Sequence, residues 1–402
     1  MVVLRSWELP DQWQFGYEIG KIGRSLAEGY GFSIANTPTA KFPPVYPFLV
    51  GGVFTILGVY SKASAVILFL FQSTCAALTA VCLAVLGARL RGWKEGLVAG
   101  LIWAIYPGSL FHSVVCIWYS ELAIAMLLLL IILAIRDKPF SLFARIAGMG
   151  LLSGILILTN STMSVYPILL LLWMLYILKV RAWKWIGGMI LWGAAVVVVV
   201  TPWAIRNRLV MGNPGILKSN FGLELFFGNN PYSTGGGINE ERDQALQAIS
   251  IDEKEGVLRA QSEYVFFDYL QKQALEWIQM HPMKFLQLSI KRFLYFWGKF
   301  PSTGPGVWRR YTWIQLTWYA PVVLLSLFGI KYCKGRRRDF IPIWLFLLVY
   351  PLPFYITHVQ LYRYRYPVEP FLVLLAAIPL NALFGYYWAR LRERQEVKNY
   401  QF

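Results

Sequence analysis

The chain has 402 residues, of which 57% are apolar, 16% aromatic and only 15% charged, with a mean hydropathy of +0.49. Soluble domains run at about 45–50% apolar and about 25% charged residues, so a water-soluble globular fold is excluded and a polytopic membrane protein is indicated. The formal net charge of +17 does not point to nucleic acid, because the basic residues fall in short clusters between apolar runs, which is how membrane topology is written.

Residues 1–42 read as surface helix and loop, with helical spacing over 17–28 and punctuation at Gly29, Gly31 and Pro38. This N-terminal stretch carries no apolar signal-peptide core and opens instead on a polar, aromatic-rich segment. The segment 43–60 is apolar but rich in Pro and Gly, which suits a short span or a re-entrant helix. Candidate spans follow at 64–87, 96–113, 117–135, 146–158, 162–178, 185–203, 313–330, 340–357 and 366–388. Basic clusters at Arg89/Arg91/Lys94, Arg136/Lys138/Arg145, Lys179/Arg181/Lys184, Lys331–Arg338 and Arg390/Arg392/Arg394 occupy every second connection. Those connections are therefore expected on the cytoplasmic side, which leaves 43–60 as an interfacial or re-entrant helix on the outer side. The same rule puts the mixed-polarity stretch between 203 and 313 outside. It holds Gly228-Asn-Asn-Pro231, Gly235-Gly-Gly237, an acidic helical region over 239–279, and a segment 282–297 whose basic face and aromatic end suit an interfacial helix. The expected division is a first outer loop (1–63), a transmembrane bundle (64–203), an extracytoplasmic region (204–312), C-terminal spans (313–389) and a cytoplasmic tail (390–402).

Charges near the spans carry the functional signal. Glu18 sits on the first predicted helix with Lys21 at i+3, which reads either as a surface ion pair or as a carboxylate made basic by packing on the bundle. Asp11 is its rival in the same segment. Glu121, in Tyr119-Ser-Glu-Leu122, stands at the outer end of a span as either a site residue or a helix cap. Asp137, between Arg136 and Lys138, reads as a solvated loop charge. Lys41, before Pro43-Pro44, suits a phosphate or snorkels to the interface. Arg363 and Arg365, interleaved with tyrosines, and Arg206 lie on the side opposite the positive-inside clusters, where anion binding is the functional reading.

Other patterns carry less. Four cysteines read as small apolar core residues, and the three histidines lack metal-ligand spacing. Gly235-Gly-Gly237 lacks the Gly-Lys-Ser/Thr of a phosphate loop. Gly150-Leu-Leu-Ser-Gly154 reads as a helix contact, and Asn160-Ser-Thr162 as a chance glycosylation triplet.

Together these pieces resemble the bacterial members of glycosyltransferase family 39, in the GT-C fold group of protein mannosyltransferases and lipid A aminoarabinose transferases. The resemblance rests on Tyr17–Phe32, Pro43-Pro-Val-Tyr-Pro47, Tyr119-Ser-Glu121, Thr201-Pro-Trp-Ala-Ile-Arg-Asn207, Ser219–Leu225 with Gly228-Asn-Asn230, and Tyr362-Arg-Tyr-Arg-Tyr-Pro367, in order along nearly the whole chain. It implies an all-α polytopic bundle with interfacial helices and one larger outer loop. It also implies a transmembrane helix ahead of the first outer loop, which residues 1–14 do not supply. The implied activity moves a sugar from a polyprenyl-phosphate donor, without cofactor or metal, to a glycan, lipid or protein acceptor outside a bacterial inner membrane. An acidic residue in the first outer loop, nearest to Glu18 here, would be the base, with Asp11 and Glu121 as further acidic candidates. Lys41, Arg206, Arg363 and Arg365 would bind the donor phosphate, and Tyr17, Lys21, Arg24, Tyr46, Asn220, His358 and Tyr362 would complete the site. The competing class is a lipid transporter or scramblase, which should instead place ionisable groups midway along its spans.

Overall fold

The computed structural model describes residues 15, 17–135, 141–212, 217–236, 239–250, 262–298, 307–336, 338–359 and 362–399. Asp11, Asp137 and Gly237 lie outside them.

The N-terminal segment ahead of the bundle forms α1 (Glu18–Ala27), a small hairpin of β1 (Ser33–Ile34) and β2 (Thr37–Pro38), and α2 (Val45–Leu57). Ala35 and Asn36 both take positive φ (50° and 64°), the geometry that a two-residue hairpin turn requires. With 13 residues, α2 is about 20 Å long, too short to cross a hydrocarbon core of about 30 Å. Its buried face (Tyr46, Val50, Phe54) joins Phe15, Ile19, Ile22, Phe32, Trp118 and Trp203 in one apolar cluster, which fastens the N-terminal segment to the bundle.

The bundle follows as α3 (Lys62–Leu90), α4 (Trp93–Ile105), α5 (Pro107–Val115), α6 (Ser120–Ile135), α7 (Leu142–Thr159), α8 (Tyr166–Ile177) and α9 (Ala182–Met211). Ser61 and Ser141 cap α3 and α7 by accepting from Ser64 N–H and Ala144 N–H. Pro107 forces Tyr106 into extended backbone, and α4 and α5 meet there at a 45° bend. The small-residue pattern in α7 packs on α9: a Cβ added to Gly150 would come 2.7 Å from Trp192 O, and one on Gly154 would come 2.7 Å from Val199 Cβ. Among the described residues four helices are long and apolar enough to cross a membrane, or five if the bent pair is one span. The protein is an integral membrane protein.

Beyond the bundle lie α10 (Phe221–Gly228), α11 (Asn239–Ser250), α12 (Glu263–Met280) and α13 (Pro282–Trp297). Leu288, Arg292 and Phe296 bury one face of α13, whereas Met283, Leu286, Ile290 and Phe293 leave an exposed apolar stripe on another. The chain closes with α14 (Val307–Tyr332), α15 (Ile341–Val349), α16 (Leu352–Ile356) and α17 (Glu369–Asn399).

Two opposite faces are fixed by this arrangement. At one, arginines from the basic connections cap neighbouring helix ends: Arg89 donates to Ile132 O near the end of α6, Arg91 to Tyr332 O ending α14, and Arg336 to Leu90 O ending α3. At the other, α6 begins at Ser120 and α7 ends at Thr159, beside the N-terminal segment and α10.

Candidate functional site

A hollow of about 310 Å³ opens at that second face, where segments from the whole length of the chain converge. Its walls include Glu18 from the start of α1, Lys41–Pro43, Trp118–Ser120 before and at the start of α6, Asn160–Thr162 between α7 and α8, Lys218–Glu224 at the start of α10, Arg242 of α11, and His358, Arg363 and Tyr364 between α16 and α17.

Long-range hydrogen bonds set this convergence. Ser219 N–H donates to Ala40 O at 3.0 Å, joining the start of α10 to the loop carrying Lys41. Glu263, in the first turn of α12, accepts from Thr39 Oγ1 at 2.6 Å, from Ala40 N–H at 3.1 Å and from Ser219 Oγ at 2.5 Å, so one carboxylate pins both strands of the wall. Gln72 of α3 does the same from below. Its Oε1 accepts from Tyr46 Oη at 2.7 Å and from Trp118 N–H at 2.5 Å, and its Nε2 donates to Cys116 O at 3.1 Å. Arg363 lies over the Trp118 ring at 4.1 Å, and Phe42 meets the same ring edge-on at 5.8 Å.

Four cations (Lys41, Lys218, Arg242 and Arg363) and two carboxylates (Glu18 and Glu224) line the hollow, so its described walls carry more positive than negative groups. Lys41 Nζ is paired with Glu18 Oε1. Glu224 Oε1 accepts from Asn220 Nδ2 at 2.8 Å, and its Oε2 lies 3.5 Å from His358 Nε2. Burial pushes the Glu224 carboxyl up, but the positive groups His358, Lys218, Arg242 and Lys41 outweigh it and hold it below the ordinary carboxylate range. At neutral pH His358 is uncharged, so that attraction rests on the lysines and Arg242. Burial also lowers the Lys218 ammonium. Among the described residues, no carboxylate stands within ion-pairing distance of Lys218 or Arg363. Nor does any group of three or more His, Cys, Asp or Glu among them offer a metal site.

The residues expected from the sequence separate into those the fold brings to the hollow and those it does not. Glu18, Lys41, Asn220, His358 and Arg363 line it. Glu121 is buried beneath it and accepts from Tyr366 Oη at 2.5 Å. Arg365 points away, donating to Gly298 O at 2.6 Å and to Glu369 at 3.3 Å over the Tyr319 ring, as a clamp on the end of α13. Arg206 holds the N-terminal segment from behind through Thr39 O and Phe32 O, both at 2.7 Å. Tyr46 is a core residue. Tyr17 is exposed, with φ 49° immediately before Glu18, and Lys21 stacks on its ring at 4.2 Å instead of pairing with Glu18. Arg24 pairs with Glu28 in solvent. Tyr362 begins a 3-10 turn, and its side chain lies outside the described ones. Lys218, Glu224 and Arg242 are site residues that sequence reading missed; Lys218 and Glu224, charges within or beside an otherwise apolar motif, were the available signal. Asn160 faces the hollow with its Oδ1 held by Thr162, so the triplet is built into the wall.

A second pocket, of about 700 Å³ and lined mostly by apolar side chains, lies on the other side of the same wall. Pro44, Val45, Phe48, Leu158, Val199 and Trp203 line it, with Arg206 at its polar edge. Residues 42–45 thus separate it from the hollow.

Burial holds His358 neutral, lowering it to about 4, with Arg242 and Arg292 adding to the effect and Glu224 opposing it. The unfolded chain, with histidine near 6.5, takes up a proton that the native state refuses, so stability is intact above pH 6.5 and falls as the pH drops towards 4. The loss reaches roughly 3 kcal/mol by pH 4. Thermal unfolding in detergent should therefore fall more steeply over this window in the native protein than in His358→Gln; parallel curves would remove His358 as the cause.

No family model matches the sequence, and no curated protein does either. Among solved structures, the chain is similar to the Archaeoglobus fulgidus oligosaccharyltransferase tethered to an acceptor peptide containing the NVT sequon, at 14% identity over 93% of this chain and 46% of that one, with a TM-score of 0.54. It is similar to AglB from the same organism in complex with an inhibitory peptide and a dolichol-phosphate, at 14% identity over 94% and 47% of the two chains, with a TM-score of 0.53. The chain thus spans slightly less than half the length of these archaeal proteins. ArnT from Cupriavidus metallidurans overlays at a TM-score of 0.41 with 14% identity, covering 94% of this chain and 76% of that one, a score that adds nothing to the fold assignment. The chain is a mostly helical membrane bundle, and at these TM-scores it has the GT-C fold of the archaeal oligosaccharyltransferases.

Proposed function

We propose that the protein transfers a sugar from a polyprenyl-phosphate donor to an acceptor hydroxyl at the outer face of a bacterial inner membrane. The observation that carries this reading is the pair Arg363 and Lys218, two cations facing the hollow with no carboxylate among the described residues within ion-pairing distance, with Lys41 beside them. A phosphate completes that charge set. The AglB complex with dolichol-phosphate supports a lipid phosphate as the ligand class. The apolar pocket behind Pro43–Val45 suits the lipid chain, leaving the headgroup in the hollow. Glu18 takes the proton from the acceptor hydroxyl. The acceptor oxygen bonds to the anomeric carbon as the bond from that carbon to the phosphate oxygen breaks, and the phosphate leaves with the electron pair. Arg363, Lys218 and Lys41 stabilise the charge that develops on it. Sugar and acceptor are set by the remaining walls, and a glycan, lipid or protein hydroxyl fits the same chemistry.

The test uses proteoliposomes loaded with a labelled polyprenyl-phosphate sugar and a cell-envelope extract as acceptor. The native protein should transfer label, and Arg363→Ala should do so about 100-fold more slowly, the effect of removing one preorganised donor. No transfer by the native protein from any such donor would favour a transporter.

A further inference from the structure

We propose that Lys41 is a shared cation, which neutralises Glu18 and exchanges that carboxylate for the donor phosphate on binding, so that Glu18 is released as a base only in a loaded site. The inference rests on the reading that a lipid phosphate enters the hollow.

Three observations support it. Lys41 Nζ sits on Glu18 Oε1, so the ammonium occupies one of the two oxygens that could accept the acceptor's proton. The main chain around Lys41 is fixed: its N–H donates to Thr39 Oγ1 at 3.1 Å, and Glu263 and Ser219 hold Thr39 and Ala40. Only the four-carbon side chain has to swing, and an ammonium is a point charge that keeps its donors in any orientation. Finally, the pair is neither deeply buried nor fully wet. With side chains 22% and 26% exposed, Glu18 can be left to water when Lys41 departs, without stranding a charge in an apolar site. The other two candidate ligands need no such exchange. Arg363 is stacked on Trp118, and among the described residues neither it nor Lys218 has a carboxylate within ion-pairing distance, so they draw the phosphate in before Lys41 turns to it.

A purely structural ion pair makes the opposite prediction, because its loss would loosen the wall and weaken ligand binding. Binding of farnesyl phosphate to the detergent-solubilised protein, followed by tryptophan fluorescence, separates the two. Glu18→Gln should bind roughly three- to fivefold more tightly than the native protein, since phosphate no longer competes with a carboxylate for Lys41. Glu18→Ala should show the same gain. Lys41→Ala should bind more weakly, and adding Glu18→Gln to it should change nothing further. Farnesol, the same chain without the charge, should not distinguish native protein from Glu18→Gln. Unchanged or weaker binding by both Glu18 variants would overturn the exchange, as would a gain that persists without Lys41 or appears with farnesol. Absence of any farnesyl phosphate binding by the native protein would overturn both the exchange and the function on which it rests.

Discussion

Glu18→Gln is expected to lower the turnover of sugar transfer by roughly 10²–10⁴-fold, the usual contribution of a positioned general base. Glutamine keeps the shape of the side chain and the packing of α1, whose buried face is Ile19, Ile22 and Ser25, so the loss should fall on the chemical step and not on folding. The donor's apparent KM should fall in the same variant, because Lys41 is then free for phosphate. A drop in both constants is a pattern that misfolding does not produce. Glu224 is the alternative carboxylate in the hollow, but its oxygens are engaged by Asn220 and face His358, and the surrounding cations hold it ionised. Single-turnover transfer measured at saturating donor decides the matter. Turnover equal to that of the native protein would discard Glu18 and pass the role to Asp11 or Glu224.

Much of the fold was legible because lipid imposes a simple code. Apolar runs such as 64–87 and 185–203 became α3 and α9, and the arginines of alternate connections cap one another's helices at a single face. The site was legible only in part. Glu18 and Lys41 stood out as charges beside a membrane without local reason. Arg363 and Arg365 could not be told apart, since one lies in a 3-10 turn and the other at its junction with the next, where the phase of each side chain is set by tertiary contacts. One stacks on Trp118 at the hollow and the other clamps the end of α13. Glu121 lies outside the wall for a similar reason: Tyr119 and Ser120 face the hollow, and one more helical step turns the carboxylate into the bundle towards Tyr366. Lys218 and Glu224 were passed over because charges in a mixed-polarity outer stretch are usually solvated. Only the remote contacts of Ser219 with Ala40 and Glu263 bring them inwards.

The roof of the hollow should collapse in Gly228→Ala. Gly228 ends α10 against the carbonyl of Thr357, and an added Cβ would lie 1.6 Å from that oxygen, an overlap of backbone with backbone that no side-chain rotation relieves. Gly228 O also receives the guanidinium of Arg292, fully buried in α13, which donates in addition to Asn229 Oδ1 at 3.2 Å, Tyr355 O at 3.2 Å and Ile356 O at 2.9 Å. Burial brings that guanidinium down to about 10, with Glu241 partly opposing, so it is a cation retained at some cost because it satisfies the last carbonyls of two helices at once. Moving Thr357 away from a new methyl group breaks this knot and displaces His358, the next residue, from the wall. The expected penalty exceeds about 4 kcal/mol; Arg292→Met should cost less, because Gly228 O keeps Ser233 Oγ at 2.7 Å and Ile356 O keeps Asn229 Nδ2 at 2.9 Å as donors. Gly52→Ala is the control, since nothing lies within 4 Å of its added Cβ on α2 and an alanine there favours the helix by about 1 kcal/mol. Thermal unfolding in detergent should therefore drop by many degrees for Gly228→Ala and hold or rise for Gly52→Ala, and limited proteolysis of Gly228→Ala should cut within α10–α13 before the bundle is cut. Equal midpoints for the two variants would mean that α10 and the Thr357 carbonyl do not meet, and the hollow would lose the wall that holds His358 and Glu224.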